Sequence, residues 1–286
     1  MTLSRLRDTA KLIAHRTLGE PTAARLSSRA YLLRTLLATR FFRPRDVSHT
    51  YGGVPLRLHL ADPIARRWYD SDWQELPEVA LLARGKLRPG ATVFNLGAHQ
   101  GIVALLLSRR VQPGGRVVAV EANGHNVTVA RRNFMMNDGQ NIDILHSAAS
   151  DTPGTVKFNR FLNGRLDDGS GEFGSLTVTA VTVDRLATSY GVPDVLFIDV
   201  EGAEHRVLRG ARETLHERPD CFVEVHVDCG LEKLGGSVSE ILEFFRASDY
   251  RLFIASERQR EFREFSTDSP LMADRFFLVA LGRGPR

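Results

Sequence analysis

Three acids and one histidine in the second half of the chain are spaced as reactive groups would be. The apolar run VLFI ends in Asp199, and Glu201 follows it directly before Gly202 and a helical pattern. Acids at a helix start interact favourably with its dipole, yet capping alone does not require two carboxylates straight after so apolar a strand. Further on, FVEVH sets Glu224 and His226 two positions apart, which puts both on one face of a strand. If that strand neighbours the one ending at Asp199, the three groups meet. A histidine alone there would be a satisfied core residue. Beside carboxylates it can act as a general base, or join them in an oxygen-and-imidazole site for a divalent cation.

A second set lies upstream. TVFNL ends one residue past Asn95 and runs into Gly97, Ala98 and Gly101 before a helix from about Ile102. Glycine takes a positive φ and lets a ligand approach bare backbone, and the helix start behind it offers unpaired N–H groups. A plain tight bend would ask for the same residues. The next apolar run, RVVAVE, closes on Glu121 with Ala122 after it, about two dozen residues past Gly97, the spacing of an acid that accepts from both ribose hydroxyls of a nucleoside. The glycines are spaced G-x-x-x-G rather than G-x-G-x-x-G, and the turn has no P-loop lysine. The nucleoside therefore need not carry a pyrophosphate. S-adenosylmethionine is such a ligand, with Asn95 and the backbone at Gly97 near its methionyl end. In HSAASD, Ala148 and Ala149 leave room for a flat adenine, and Asp151 either accepts from its amino group or caps the turn before Pro153 and Gly154.

The elements that must carry these residues are legible from periodicity. After Gly90, ATVFNL, RVVAVEA, IDILHSAA, DVLFIDV and CFVEVHV read as strands, while IVALLLSRRV, NVTVARRNFMMND and AEHRVLRGARETLHE read as helices. A helix SVSEILEFFRASD and strands YRLFIA and RFFLVAL close the chain. Such alternation predicts an α/β protein with a mostly parallel, doubly wound sheet covered on both faces. Ahead of it, the alternation between Val47 and Leu60 with Gly52 and Gly53 predicts a hairpin. WYDSDWQELPEVALLARGKLRPG predicts a loop and then a helix, with Trp68, Tyr69 and Trp73 clustered for packing or to line a substrate pocket.

The N-terminal residues 1–46 predict an amphipathic helical extension and residues 47–286 the main domain. From Leu3 to about Phe42, apolar residues recur at helical spacing with arginines between them, broken at Gly19 to Pro21. Such helices cap the domain, contact an anionic membrane peripherally, or dock a partner. The 286 residues are 43% hydrophobic, enough for a sizeable core, and the net charge of +4 is too mild to call for a nucleic-acid partner. No apolar stretch approaches a transmembrane length. The two cysteines, Cys221 and Cys229, fit reduced thiols in a cytoplasmic protein rather than a disulfide framework.

Taken together these residues resemble the FkbM family of S-adenosylmethionine-dependent methyltransferases. The resemblance rests on VFNLGAHQGIVALLL, VVAVEAN, TVTAVTVDRLA, LFIDVEGAEHRVLRGA and FVEVH, over roughly residues 80–230. It implies the class I methyltransferase fold, Rossmann-like with seven strands and helices on both sides, and methyl transfer to an oxygen of a small molecule, sugar or glycan. The family's first strand usually ends in Asp where this chain has Asn95, and its second-strand acid is often followed by Pro where this chain has Ala122. The implied cofactor contacts are Asn95, Gly97, Ala98, Gly101, Glu121, Ala122, Ala149, Asp151 and Asp199. Because an alcohol is a poor nucleophile near neutral pH, the acceptor needs a base or a metal beside it. Asp199, Glu224 and His226 take that part, with Glu201 a structural neighbour. A catalytically inactive adapter of the same fold is the alternative. A nicotinamide-dependent oxidoreductase is disfavoured by the glycine spacing and the lack of a Tyr-x-x-x-Lys pair.

Overall fold

The computed structural model of the chain describes residues 38–159, 166, 175–266 and 274–284. The N-terminal helices expected from Leu3 lie, up to residue 37, outside the described residues, and so does most of the Gly- and Asp-rich segment 158–175. The chain divides into two compact units, one taking in Leu60–Tyr69 with the segment that ends at Arg45, the other Asp46–His59 with Asp70–Arg286.

Strands β1 (Arg45–Tyr51) and β2 (Val54–Leu60) pair into the expected hairpin. Gly52 and Gly53 turn it with φ of 56° and 81°, the two positive values that a twisted two-residue turn needs. Helix α1 (Pro63–Tyr69) takes in Trp68 and Tyr69, the first two residues of the expected loop, and residues 63–67, for which the sequence predicted no element. Its start signal is Asp62-Pro63: the Asp62 carboxylate accepts from the N–H groups of Ile64 and Ala65, each at 2.9 Å, and proline is favoured at the first helical position. The aromatic residues separate into two pairs. Trp68 meets Tyr69 edge-on at 6.1 Å, while Trp73 meets Tyr51 at 5.1 Å and bonds its backbone to Thr50 and Gly52 of the hairpin.

Helix α2 (Pro77–Leu82) precedes the regular alternation of β3 (Thr92–Leu96), α3 (Ile102–Val111), β4 (Arg116–Glu121), α4 (Gly124–Met135) and β5 (Ile142–His146). Strands β6 (Ala148–Ala149), β7 (Gly154–Asn159) and β8 (Ser175–Val181) then form a small sheet of their own in the order β6-β8-β7. Helix α5 (Val183–Tyr190) leads to β9 (Val195–Ile198), α6 (Glu204–Arg209), α7 (Arg212–His216) and β10 (Asp220–Val225), and α8 (Val238–Glu243), β11 (Tyr250–Ser256), β12 (Arg263–Glu264) and β13 (Phe276–Gly282) finish the chain. The one helix expected over AEHRVLRGARETLHE is thus two. The Asp184 carboxylate explains the break, since it accepts from the Thr214 N–H at 2.8 Å and the Glu213 N–H at 3.3 Å and so starts a new helix there.

The main sheet runs β12-β11-β13-β10-β9-β3-β4-β5. It contains the seven expected strands and the two-residue β12 at one edge. Strands β5, β4, β3, β9 and β10 are parallel, and β13 is inserted antiparallel between β10 and β11. This is the doubly wound class I methyltransferase fold. The chain leaves β3 towards β4 in one direction and returns to β9 on the other side, so right-handed crossovers put α3 and α4 on one face and α6 and α7 on the other. The second face packs Phe94, Leu96, Val118, Ile198 and Val223 against Leu186, Val207, Leu208, Leu215 and Ile241 of α5 to α8. Asp220 ties β10 to its surroundings, accepting from Lys86 N at 2.6 Å and Gly282 N at 2.8 Å. Cys221 and Cys229 form no disulfide, and among the described residues no helix is long and apolar enough to cross a membrane.

Candidate active site

Register decides which side chains share an edge of the sheet. Asn95 pairs with Ala119 and Phe197, and Phe197 with Phe222. Because side chains alternate, Asn95, Glu121, Asp199, Glu224 and His226 all fall on one face, at or just beyond the carboxyl ends of β3, β4, β9 and β10. That edge spans the point between β3 and β9 where the chain reverses direction, which is where open α/β sheets form their crevice.

The glycine turn is shaped first by the protein itself. Gly97 has φ of 85°, and a Cβ there would overlap the Asp199 carbonyl oxygen. Gly101, with φ of 86°, would collide with the Phe134 ring. Close chain packing thus requires both glycines, and it also brings the turn against Asp199, whose N–H bonds the Leu96 carbonyl at 2.9 Å. Ala98 is buried and its N–H bonds the Val120 carbonyl at 3.0 Å. Glu121 fastens the other side of the turn: one carboxylate oxygen accepts from His99 N at 2.8 Å and the other from Asn123 N at 2.7 Å. Burial raises the Glu121 pKa against the lowering effect of those bonds. Asn95 is buried and its Oδ1 has no hydrogen-bond partner. That leaves an uncompensated buried acceptor near the end of a strand.

Ala122 and Ala149 are buried, and Ala149 lies in β6 beside Val181 of β8. Asp151 follows β6 and accepts from the hydroxyls of Ser150 at 3.1 Å and Thr152 at 3.4 Å.

At the other end of the edge the structure brings Asp199, Glu224 and His226 together. The imidazole is buried. Its Nδ1 lies 2.8 Å from Glu204 Oε1, and its Nε2 lies 3.8 Å from Asp199 Oδ1, 3.6 Å from Glu224 Oε1 and 3.5 Å from Glu201 Oε2. Burial pulls the His226 pKa down, but the Glu204 hydrogen bond and the charges of Glu204, Glu201 and Asp199 more than offset it and push the value up to about 10. With nothing bound, His226 therefore holds a proton at neutral pH. Asp199 goes well above the usual carboxylate range, first through burial and then through Glu224, although solvent still reaches 39% of its side chain. Glu224 is raised by burial, with His226 and Arg275 acting against it. In its ionised form Asp199 is the proton acceptor of the pair, since an imidazolium has no free lone pair.

Three participants were absent from the sequence reading. Glu204 is fully buried and orients His226 while accepting from Gly202 N at 2.8 Å. In the sequence it looks like an ordinary acid in a helix's first turn, and the only signal was a third carboxylate in DVEGAE. Arg275 lies 3.4 Å from Glu224 and forms an ion pair with Glu257. Nothing local marks these two; the β10–β13 and β11–β13 registers place them.

A model of the methyltransferase FkbM domain matches residues 95–252. The chain belongs to the FkbM methyltransferase family. Among solved structures it is similar to a methyltransferase FkbM from Methylobacillus flagellatus, at 16% identity and a TM-score of 0.45, over 67% of this chain and 43% of that one. The chain thus spans less than half the length of that relative. It is also similar to an S-adenosylmethionine-dependent O-methyltransferase from Thermotoga maritima (12% identity, 85% of this chain and 78% of that one, TM-score 0.44). A third is Aeropyrum pernix fibrillarin, solved with natively bound S-adenosylmethionine (13% identity, 82% of each chain, TM-score 0.43).

Proposed function

We propose that this FkbM-family chain transfers a methyl group from S-adenosylmethionine to a hydroxyl of a small molecule, sugar or glycan. The observation that supports it most is the single edge on which Asn95, Glu121 and the Asp199–Glu224–His226 group converge, across the reversal point of the sheet. The residues suit the donor. The unpartnered Asn95 Oδ1 is an acceptor for a methionyl ammonium. Each Glu121 oxygen accepts one backbone N–H, and a carboxylate with about four acceptor positions retains capacity for ribose hydroxyls. When bound, S-adenosylmethionine supplies a methyl group already activated by its sulfonium.

What remains for the protein is to align the acceptor oxygen and remove its proton. Asp199, with its raised pKa and exposed flank, takes that proton. Glu224 and Arg275 fix the electrostatics beside it. The Asp199–Glu224–His226 group serves this chemistry either by itself or as the seat of a divalent cation. The reading is tested by calorimetry with S-adenosylmethionine, followed by a screen of hydroxylated metabolites and glycans for uptake of labelled methyl. No binding heat at millimolar donor would reject it in favour of an inactive adapter.

A further inference from the structure

Four polar groups crowd one point at the end of β10. His226 Nε2 is buried and has no hydrogen-bond partner. The carboxylate oxygens nearest to it, from Glu201, Glu224 and Asp199, stop at 3.5, 3.6 and 3.8 Å, beyond good hydrogen-bond length for a charge-assisted N–H. One ligand atom from each of Asp199, Glu224 and His226 lies within 4.8 Å of the other two. Atoms held about 2.0–2.2 Å from one ion lie about 3.0–3.5 Å apart, so side-chain shifts on the order of an ångström would close this group on a cation. On the far side of the ring, Glu204 Oε1 meets His226 Nδ1 at 2.8 Å. With Nδ1–H donated to Glu204, an ion that displaces the Nε2 proton would meet a lone pair facing the carboxylates, the carboxylate–histidine–metal arrangement of many metal sites.

We propose that Asp199, Glu224 and His226 bind a divalent cation, with Glu201 at its edge and Glu204 as the positioning residue. The proposal deepens the methyl-transfer reading, because it rests on that reading for what the ion does there: polarise an acceptor hydroxyl. The site itself stands on the geometry alone. Two carboxylates and one imidazole favour a first-row ion such as Mn²⁺ or Zn²⁺ over Ca²⁺, which prefers six to eight oxygens. Two guanidiniums act on Glu224: Arg275, at 3.4 Å and with its charge shared with Glu257, and Arg260, whose charge also lowers the Glu224 pKa.

The test uses the full chain, stripped with EDTA and titrated with Mn²⁺ by calorimetry and by loss of the free-ion electron paramagnetic resonance signal. One ion per chain is expected. Asp199→Asn and Glu224→Gln should each raise the Mn²⁺ Kd by at least about tenfold, and Glu204→Gln by about 10- to 100-fold. Glu213→Gln, on an exposed side chain of α7, should change nothing. Asp199 is half-open to solvent, so its variant is expected to fold even if those at Glu204 do not. The proposal is overturned if neither Mn²⁺ nor Zn²⁺ binds at millimolar concentration, or if Asp199→Asn and Glu224→Gln bind as the parent does. Metal binding without donor binding would sink the methyl-transfer reading and keep the site. Donor binding and full turnover in EDTA would keep the methyl-transfer reading and overturn the part proposed for the ion in it.

Discussion

Replacing Glu121 with Gln separates the two jobs that the structure gives this carboxylate. One oxygen holds His99 N at 2.8 Å and the other Asn123 N at 2.7 Å, so the side chain clamps the glycine turn to the end of β4. The amide keeps one acceptor oxygen and sets an NH₂ against one of those backbone donors. A lost hydrogen bond to a charged group costs about 1.5–3 kcal/mol. Removing a buried charge, whose pKa burial already raises, returns part of it. The net loss of stability should be about 1–2 kcal/mol, read as a lower urea midpoint at an unchanged slope. Donor binding should suffer separately, because ribose hydroxyls lose a charged acceptor: about 1.5–3 kcal/mol, or roughly a 10- to 150-fold rise in Kd by calorimetry. A variant that shows the stability loss but binds S-adenosylmethionine within about threefold of the parent would refute the placement of the ribose on Glu121.

Gly97→Ala should cost well over 2 kcal/mol or prevent folding, because a Cβ would overlap the Asp199 carbonyl at a positive φ; an urea midpoint near the parent's would contradict this packing. In EDTA-treated protein the raised His226 pKa, about 10 against an unfolded value near 6.5, gives stability fully present below about pH 6.5 and lost as pH rises through about 10. Glu204→Gln should therefore lower stability at pH 7 by about 2–4 kcal/mol and flatten the fall between pH 7 and 10. Equal slopes in urea melts of the two proteins would show that Glu204 does not hold that proton. Asp220→Ala strands the N–H groups of Lys86 and Gly282 and should lower stability by about 2–4 kcal/mol, measured in the same way, with donor affinity kept.

Much of the fold could be read along the chain because each signal is local. The strands ending near Asn95, Glu121 and Asp199 are continuous apolar runs, and the helices between them carry a period near 3.6. Where a signal needed a partner, the reading failed. The helix over Pro63–Tyr69 hides behind an aspartate that looks like any loop residue until it caps. The split between α6 and α7 depends on Asp184, which lies in another helix. The glycine turn was legible as a turn, yet the reason for Gly97 is the Asp199 carbonyl about a hundred residues away, which no spacing rule carries.

By itself, then, the sequence determined the alternation of elements, the doubly wound sheet class, and which chemistry-bearing residues stand at strand ends, since period-two and period-3.6 patterns record what each element buries. Only the tertiary structure decided that His226 leans on Glu204 and that Arg275 joins Glu224. It also decided that three carboxylates face one imidazole nitrogen across less than 4 Å. Those contacts come from strand order and register, in particular from β13 passing between β10 and β11. Register is set by how whole faces pack, a sum over many distant residues that no single stretch of chain contains.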